Sequence, residues 1–145
     1  MDLLKSMQIS SSGLAANRKR IEAISSNIAN AQTTRTAEGG PYRRKEVVFG
    51  SEPARDNFAD ILEGEIDVQA QKVHVTEVVS VNEPPILRYD PSHPDANKDG
   101  YVAMPNVNVM KEMADMISAQ RAYEANITAI NTSKSMAMKA LEIGR

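Results

Sequence analysis

Few residues here are placed to do chemistry, and the segment that offers most is Asp95-Ala96-Asn97-Lys98-Asp99-Gly100. Oxygen-bearing side chains at alternate positions before a glycine open the calcium loop of an EF-hand, and Val102 is apolar where that loop usually has such a residue. The twelfth position is Asn106 where the ion geometry calls for a bidentate glutamate. Pro94 and Pro105 stand where helices would enter and leave. A tight, Asx-rich turn is therefore expected, with no metal. His74 falls inside a strand pattern and His93 in a turn, and neither joins a catalytic constellation. Arg43-Arg44-Lys45, with Tyr42 alone beside it, reads as a solvated strand face and not as a nucleic-acid platform. Asn126-Ile127-Thr128 and Asn131-Thr132-Ser133 match the glycosylation sequon but lie in a helical pattern. Cysteine is absent, which removes disulfides, thiolate metal sites and a thiol nucleophile. No phosphate loop, nucleophile elbow or zinc-protease helix is written in the chain. The expectation is no catalytic residue, no cofactor and no metal.

The elements that would position any site divide sharply by composition. All seven prolines lie between Thr33 and Val107, as do five of the six aromatics. Residues 1–32 and 108–145 hold no proline and only Gly13 and Gly144. These arms carry 9 basic and 6 acidic residues, a balance of +3, against 8 and 13, or -5, in the middle. Two helical arms and one turn-rich insert follow: an N-terminal arm over 1–32, a β/turn-rich insert over 33–107 and a C-terminal arm over 108–145. The fold class expected is mainly α with a small β-rich insert, the arms pairing as a coiled-coil-like core.

Both arms repeat apolar residues every seven positions. Met7, Leu14, Ile21 and Ile28 form one row of the first arm, with Leu3, Ile24 and Ala31 beside it and Ser10 and Asn17 as polar breaks. In the second arm Val109, Met116, Tyr123, Ile130 and Ala137 form one row. Met113, Ile127 and Leu141 form its expected companion, broken by Gln120 and Lys134. Alternating spacings of three and four place each set on one stripe of an α-helix. Helices of ~30 residues reach ~45 Å, longer than the insert could cover. An intramolecular hairpin packed on the insert would leave part of each stripe bare. Asn27 and Asn30 are expected to cap the end of the first helix, and Asn106 or Asn108 the start of the second, where Glu112 and Asp115 face the positive dipole end.

Within the insert, Tyr42–Phe49 and Val73–Val81 read as strands, with Gly50 ending the first and Pro84-Pro85 closing the second. Ser51–Glu65 reads as an acidic irregular loop, and Tyr89–Asp95 as a turn run.

Ser11-Ser12-Gly13-Leu14-Ala15-Ala16-Asn17-Arg18 and Ile24-Ser25-Ser26-Asn27-Ile28-Ala29-Asn30-Ala31-Gln32-Thr33-Thr34 resemble the N-terminal signature of bacterial flagellar rod and hook proteins. Tyr89–Asp95, Gly100–Val109, Met116–Asn126 and Asn131–Ser135 resemble the proximal-rod members of that family. Many distal-rod and hook relatives have Thr-x-Gly-aromatic after the asparagine motif. Here Thr34-Arg35-Thr36-Ala37 precedes Gly39-Gly40-Pro41-Tyr42, which suits a proximal-rod subtype. The resemblance implies a structural subunit that polymerises through its terminal helices into a torque-transmitting shaft and export channel in the periplasmic rod of the basal body. Implied partners are other copies of itself, other flagellar rod proteins, a rod-to-membrane-ring adaptor and the flagellar type III export apparatus. No nucleic acid and no direct membrane insertion are expected.

That implication, taken with the stripes, puts the assembly interface on Met7, Leu14, Asn17, Ile21, Ile24, Asn27, Ile28 and Asn30 of the first arm. On the second it falls on Asn106, Asn108, Met113, Met116, Gln120, Tyr123, Ile127, Ile130 and Asn131. Composition agrees with a globular chain: 145 residues, 41% hydrophobic, 25% charged, net charge -2, with no basic excess for nucleic acid or anionic lipid. The N-terminus lacks a basic run followed by an apolar one, so no secretory signal peptide is expected, which matches the export without a cleaved signal that the resemblance implies. Two other classes share parts of the pattern. A soluble coiled-coil adaptor or chaperone would have the same heptads but form a discrete dimer. An enzyme built on the insert would need an occupied pocket there.

Overall fold

The computed structural model describes residues 3–53 and 71–143. Two long helices enclose two small two-stranded sheets in sequence: α1 (Leu3–Ala29), β1 (Lys45–Pro53), β2 (Gln71–Ser80), β3 (Ile86–Tyr89), β4 (Tyr101–Met104) and α2 (Val109–Ile143). β1 pairs with β2 and β3 with β4. The expected proportions, helix-dominated with a β-rich insert, are the ones observed.

Local chemistry sets the boundaries. α2 starts where Asn108 Oδ1 accepts the Lys111 amide at 3.1 Å and the Asn108 carbonyl accepts the Glu112 amide at 3.0 Å. That is an N-cap, and Asn108 is the asparagine that fills it. At the other boundary Asn30 Nδ2 donates to the Ser26 carbonyl at 2.9 Å, closing the last turn of α1. No non-glycine residue among those described has positive φ, so Asn30 ends the helix with its side chain and not with a left-handed backbone.

β1 starts three residues later than expected and runs through Gly50. A Cβ at Gly50 would lie 2.7 Å from both the His74 ring and Thr76 Oγ1, so these side chains of β2 fold over the bare glycine. Gly50 is a close-approach residue within the strand. Ser51–Pro53 belong to β1, and the remainder of the expected loop lies outside the described residues. β3 and β4 pair antiparallel, Ile86 facing Met104 and Tyr89 facing Tyr101, whose rings meet edge-on at 5.3 Å. Asp95–Gly100 lies in the turn between them. Asn97 Oδ1 accepts the amides of Asp99 (2.9 Å) and Tyr101 (2.8 Å), and Gly100 takes φ +81°.

Compactness divides the chain differently from composition. One unit comprises Met1–Lys19, Val48–Glu77 and Ala119–Arg145; the other Arg20–Val47 and Val78–Ser118. In the first, Ser12 Oγ accepts the Val73 amide at 3.1 Å, holding β2 to α1. A Cβ at Gly13 would stand 3.0 Å from Asn126 Nδ2, so the glycine admits α2 at close range. In the second, α1 and α2 run antiparallel: Arg20 stands 3.7 Å from Asp115, and Asn27 bonds Glu112.

Candidate functional site: a buried polar junction beneath an exposed apolar stripe

Asn27 is completely buried, and each polar atom of its side chain is used twice. Its Nδ2 donates to the Lys45 carbonyl at 2.9 Å and to Glu112 Oε2 at 3.0 Å. Its Oδ1 accepts the Lys45 amide at 2.8 Å and the Tyr42 hydroxyl at 3.0 Å. An amide has two donor hydrogens and two acceptor lone pairs, so Asn27 is saturated. It is a strut between α1, the start of β1 and α2, and not the helix cap expected of it. Asn30 alone does the capping.

Glu112, 1% exposed, forms the other half of the junction. Arg44 Nε donates to Glu112 Oε1 at 2.6 Å, and Arg44 Nη1 donates to Glu46 Oε2 at 3.3 Å. The hydrogen bond that Arg44 donates to Glu112 is the main reason its guanidinium is held above its ordinary pKa, outweighing the opposing effect of burial. Arg44 is thus removed from the solvated face that the basic run suggested, while Arg43 and Lys45 remain exposed. A carboxylate this deep is tolerated only because both of its oxygens are bonded. Ser26 Oγ lies 3.0 Å from the Tyr42 hydroxyl and completes the network.

Burial along the helices separates two stripes that sequence periodicity merged. On α2 the innermost row is Glu112, Ala119 (0% exposed), Asn126 and Ser133 (5%), seven residues apart, flanked by half-buried Met116, Tyr123, Ile130 and Ala137. The expected companion row is corrected. Met113 is 49% exposed, Ile127 38% and Leu141 75%, because the seam is closed by small and polar residues one position earlier. With Met110, Ile117 and Met138, also exposed, they follow a second three-four spacing along the outer flank, where Gln120 and Asn131 also lie. On α1 the buried positions are Ala16, Ala23, Ile24 and Asn27, while Met7, Leu14, Asn17, Ile21, Ile28 and Asn30 are half-buried. Asn17 Nδ2 is spent locally on the Gly13 carbonyl at 3.0 Å. Asn106 is half-buried beside Pro105. Among the described residues the buried apolar side chains are Ala16, Ala23, Ile24, Tyr42, Val102, Pro105 and Ala119. Three of these seven are alanines, while Met110, Met138 and Leu141 stay more than half exposed.

The family described as "Flagella basal body rod protein" matches residues 7–35, and "Flagellar basal body rod FlgEFG protein C-terminal" matches residues 98–143. The flagellar basal-body rod protein FlgC of Borreliella burgdorferi is 47% identical over 154 aligned positions, spanning 99% of this chain and 98% of its own. Those of Bacillus subtilis and Salmonella typhimurium are 43% and 40% identical, each over the full length of both chains. The chain belongs to the FlgC family of flagellar basal-body rod proteins. It is a structural subunit of the rod's proximal segment, as FlgC-family membership dictates. The two matched segments hold the two ends of the junction, Asn27 on one and Glu112 on the other. Ser12 and Gly13, which opened the resemblance, are the residues that seat β2 and admit Asn126.

Proposed function

We propose that this FlgC-family subunit polymerises through its terminal helices, which meet in a coiled-coil-like seam and form, with neighbouring subunits, the wall of a shaft that transmits torque and encloses the export channel. One observation carries the proposal. α2 presents Met110, Met113, Ile117, Ile127 and Met138 along one flank, 38–76% exposed, beside a seam already closed by Ala119 and Ser133. Burying such a side chain contributes about 1.5–3 kcal/mol. A row left open along a helix is therefore a strong association surface, and methionine can repack against similar but non-identical neighbours. Head-to-tail contacts without closure generate a helical rod.

The interface proposed includes the seventeen positions named from sequence, with two roles distinguished. Met113, Gln120, Ile127 and Asn131 lie outermost, where neighbours would dock. Ile24, Asn27, Met116, Tyr123 and Ile130 support the helix from within. Further copies, other rod proteins and a rod-to-ring adaptor are the partners this reading supplies. A periplasmic position, reached through the type III export apparatus without a cleaved signal, is the location it supplies. No catalytic role is assigned to any residue.

Ile127→Asp tests it. The substitution places a carboxylate on the outer flank and leaves the seam untouched. The purified variant should keep its helix content, yet be absent from basal bodies, and cells carrying it should not swim. Normal swimming would refute the assembly role of this stripe.

A further inference from the structure

The seam between the helices is repetitive, and repetition carries a hazard. Ala16 and Ala23 stand seven apart on α1, and Ala119, Asn126 and Ser133 seven apart on α2. Sliding α2 by one heptad, about 10.5 Å along its axis, would again set apolar rows of the two helices beside one another. Apolar pairing alone therefore discriminates weakly between registers. The flanking rows, Met116-Tyr123-Ile130 and Leu14-Ile21-Ile28, are also apolar at each repeat.

The polar junction does not repeat. Seven residues after Glu112 comes Ala119, and seven before Asn27 comes Arg20. With α2 slid so that Ser133 comes opposite Gly13, Asn27 and Arg44 would face an alanine methyl, and Glu112 would lose both donors. We propose that the Asn27–Glu112–Arg44 network is the register lock of the hairpin: it sets which residues of α2 oppose α1, and so where the outer apolar stripe falls. Asn27 ties the lock to α1, and Arg44, one residue ahead of β1, ties it to the insert. A helix slip thus breaks bonds to both at once. Apolar packing supplies attraction, and the buried polar group supplies the choice of partner positions.

The chain's lack of cysteine makes register directly measurable. A Gly13→Cys/Asn126→Cys pair reports the native register, because a Cβ at 13 lies 3.4 Å from the Asn126 Cγ. A Gly13→Cys/Ser133→Cys pair reports a one-heptad slip. Each is oxidised in isolated basal bodies, and the intrachain disulfide is read as faster migration on a non-reducing gel. With the lock intact only the native pair should close. The lock is then replaced by apolar residues of similar size, Arg44→Met/Glu112→Leu, so that no charge is left buried alone. In that background the slipped pair should rise from background to a yield within a few-fold of the native one. Only the native disulfide in the Arg44→Met/Glu112→Leu background would overturn the inference. So would loss of both disulfides there while Glu112→Gln assembles normally, since the network would then be needed for folding and not for register. The readout lies within one chain, so failure of the register lock is distinct from failure of the outer stripe to assemble, which shows as subunits missing from basal bodies.

Discussion

Replacing Asn27 by alanine removes a side chain whose loss can be costed from its partners. Tyr42 retains Ser26 Oγ, so its hydroxyl is not orphaned. The Lys45 amide, the Lys45 carbonyl and Glu112 Oε2 each lose a bond. An unsatisfied buried polar group costs about 1–3 kcal/mol, and water reaching exposed Lys45 keeps its two groups at the low end. The sum is about 4 kcal/mol, against total stabilities of about 5–15 kcal/mol for folded domains. For a chain of this length that corresponds to a fall in Tm of about 8–16 °C. Asn30→Ala is the internal reference, because it removes a helix-end amide worth about 1 kcal/mol and should lower Tm by about 2–4 °C. Circular dichroism melts of the full chain, with helix signal as the probe, compare the two. A Tm loss for Asn27→Ala equal to that for Asn30→Ala would refute the strut and return Asn27 to a capping role.

Three further outcomes are expected. Ile24→Asp and Ile127→Asp should part company: Ile24 is 6% exposed and its substitution should reduce helix content itself, by several kcal/mol of stability, whereas Ile127→Asp should melt like the parent; identical melts would contradict the two-stripe description. The Ser92 hydroxyl, 2.7 Å from Asp90 Oδ1, holds the Asp90 carboxyl below its ordinary pKa; this turn contact stabilises above the ordinary aspartate value of about 3.9 and is lost as pH falls through the lower folded value, so Ser92→Ala should raise the Asp90 midpoint in an NMR titration. Titration calorimetry with millimolar calcium should give no binding heat at Asp95–Gly100, since Asn97 is committed to the amides of Asp99 and Tyr101 and Asp95 to the Thr34 hydroxyl at 2.8 Å; a dissociation constant below about 0.1 mM would count against the turn.

The helices and β2 were legible because their signals are long: proline-free arms, heptad spacing and a β-branched run. β3 and β4 were not, since four residues carry almost no periodicity and Pro84-Pro85 reads as an ending. Hydrophobic pattern also misplaced one face of α2. A row of Met113, Ile127 and Leu141 looks more core-like than Glu112, Ala119, Asn126 and Ser133, yet closely approaching helices select small residues and a bonded carboxylate. The junction itself was invisible for a different reason. Glu112 gains its meaning from Arg44 and Asn27, 68 and 85 residues away, and nothing local announces such a pairing. Arg44 is hidden inside a basic run whose other members are solvated, and Asn27 inside a motif for which capping is the commoner explanation. In each case the local signal was real but assigned to the commoner role.

The central claim is that the outer flank of α2 is open in the free subunit and covered in the rod. Single Met113→Cys and Ile127→Cys variants, in a chain otherwise free of thiols, measure it by their rate of reaction with a maleimide. Both should react readily in the purified chain and at least tenfold more slowly in intact basal bodies, whereas equal rates in the two states would contradict assembly through this stripe.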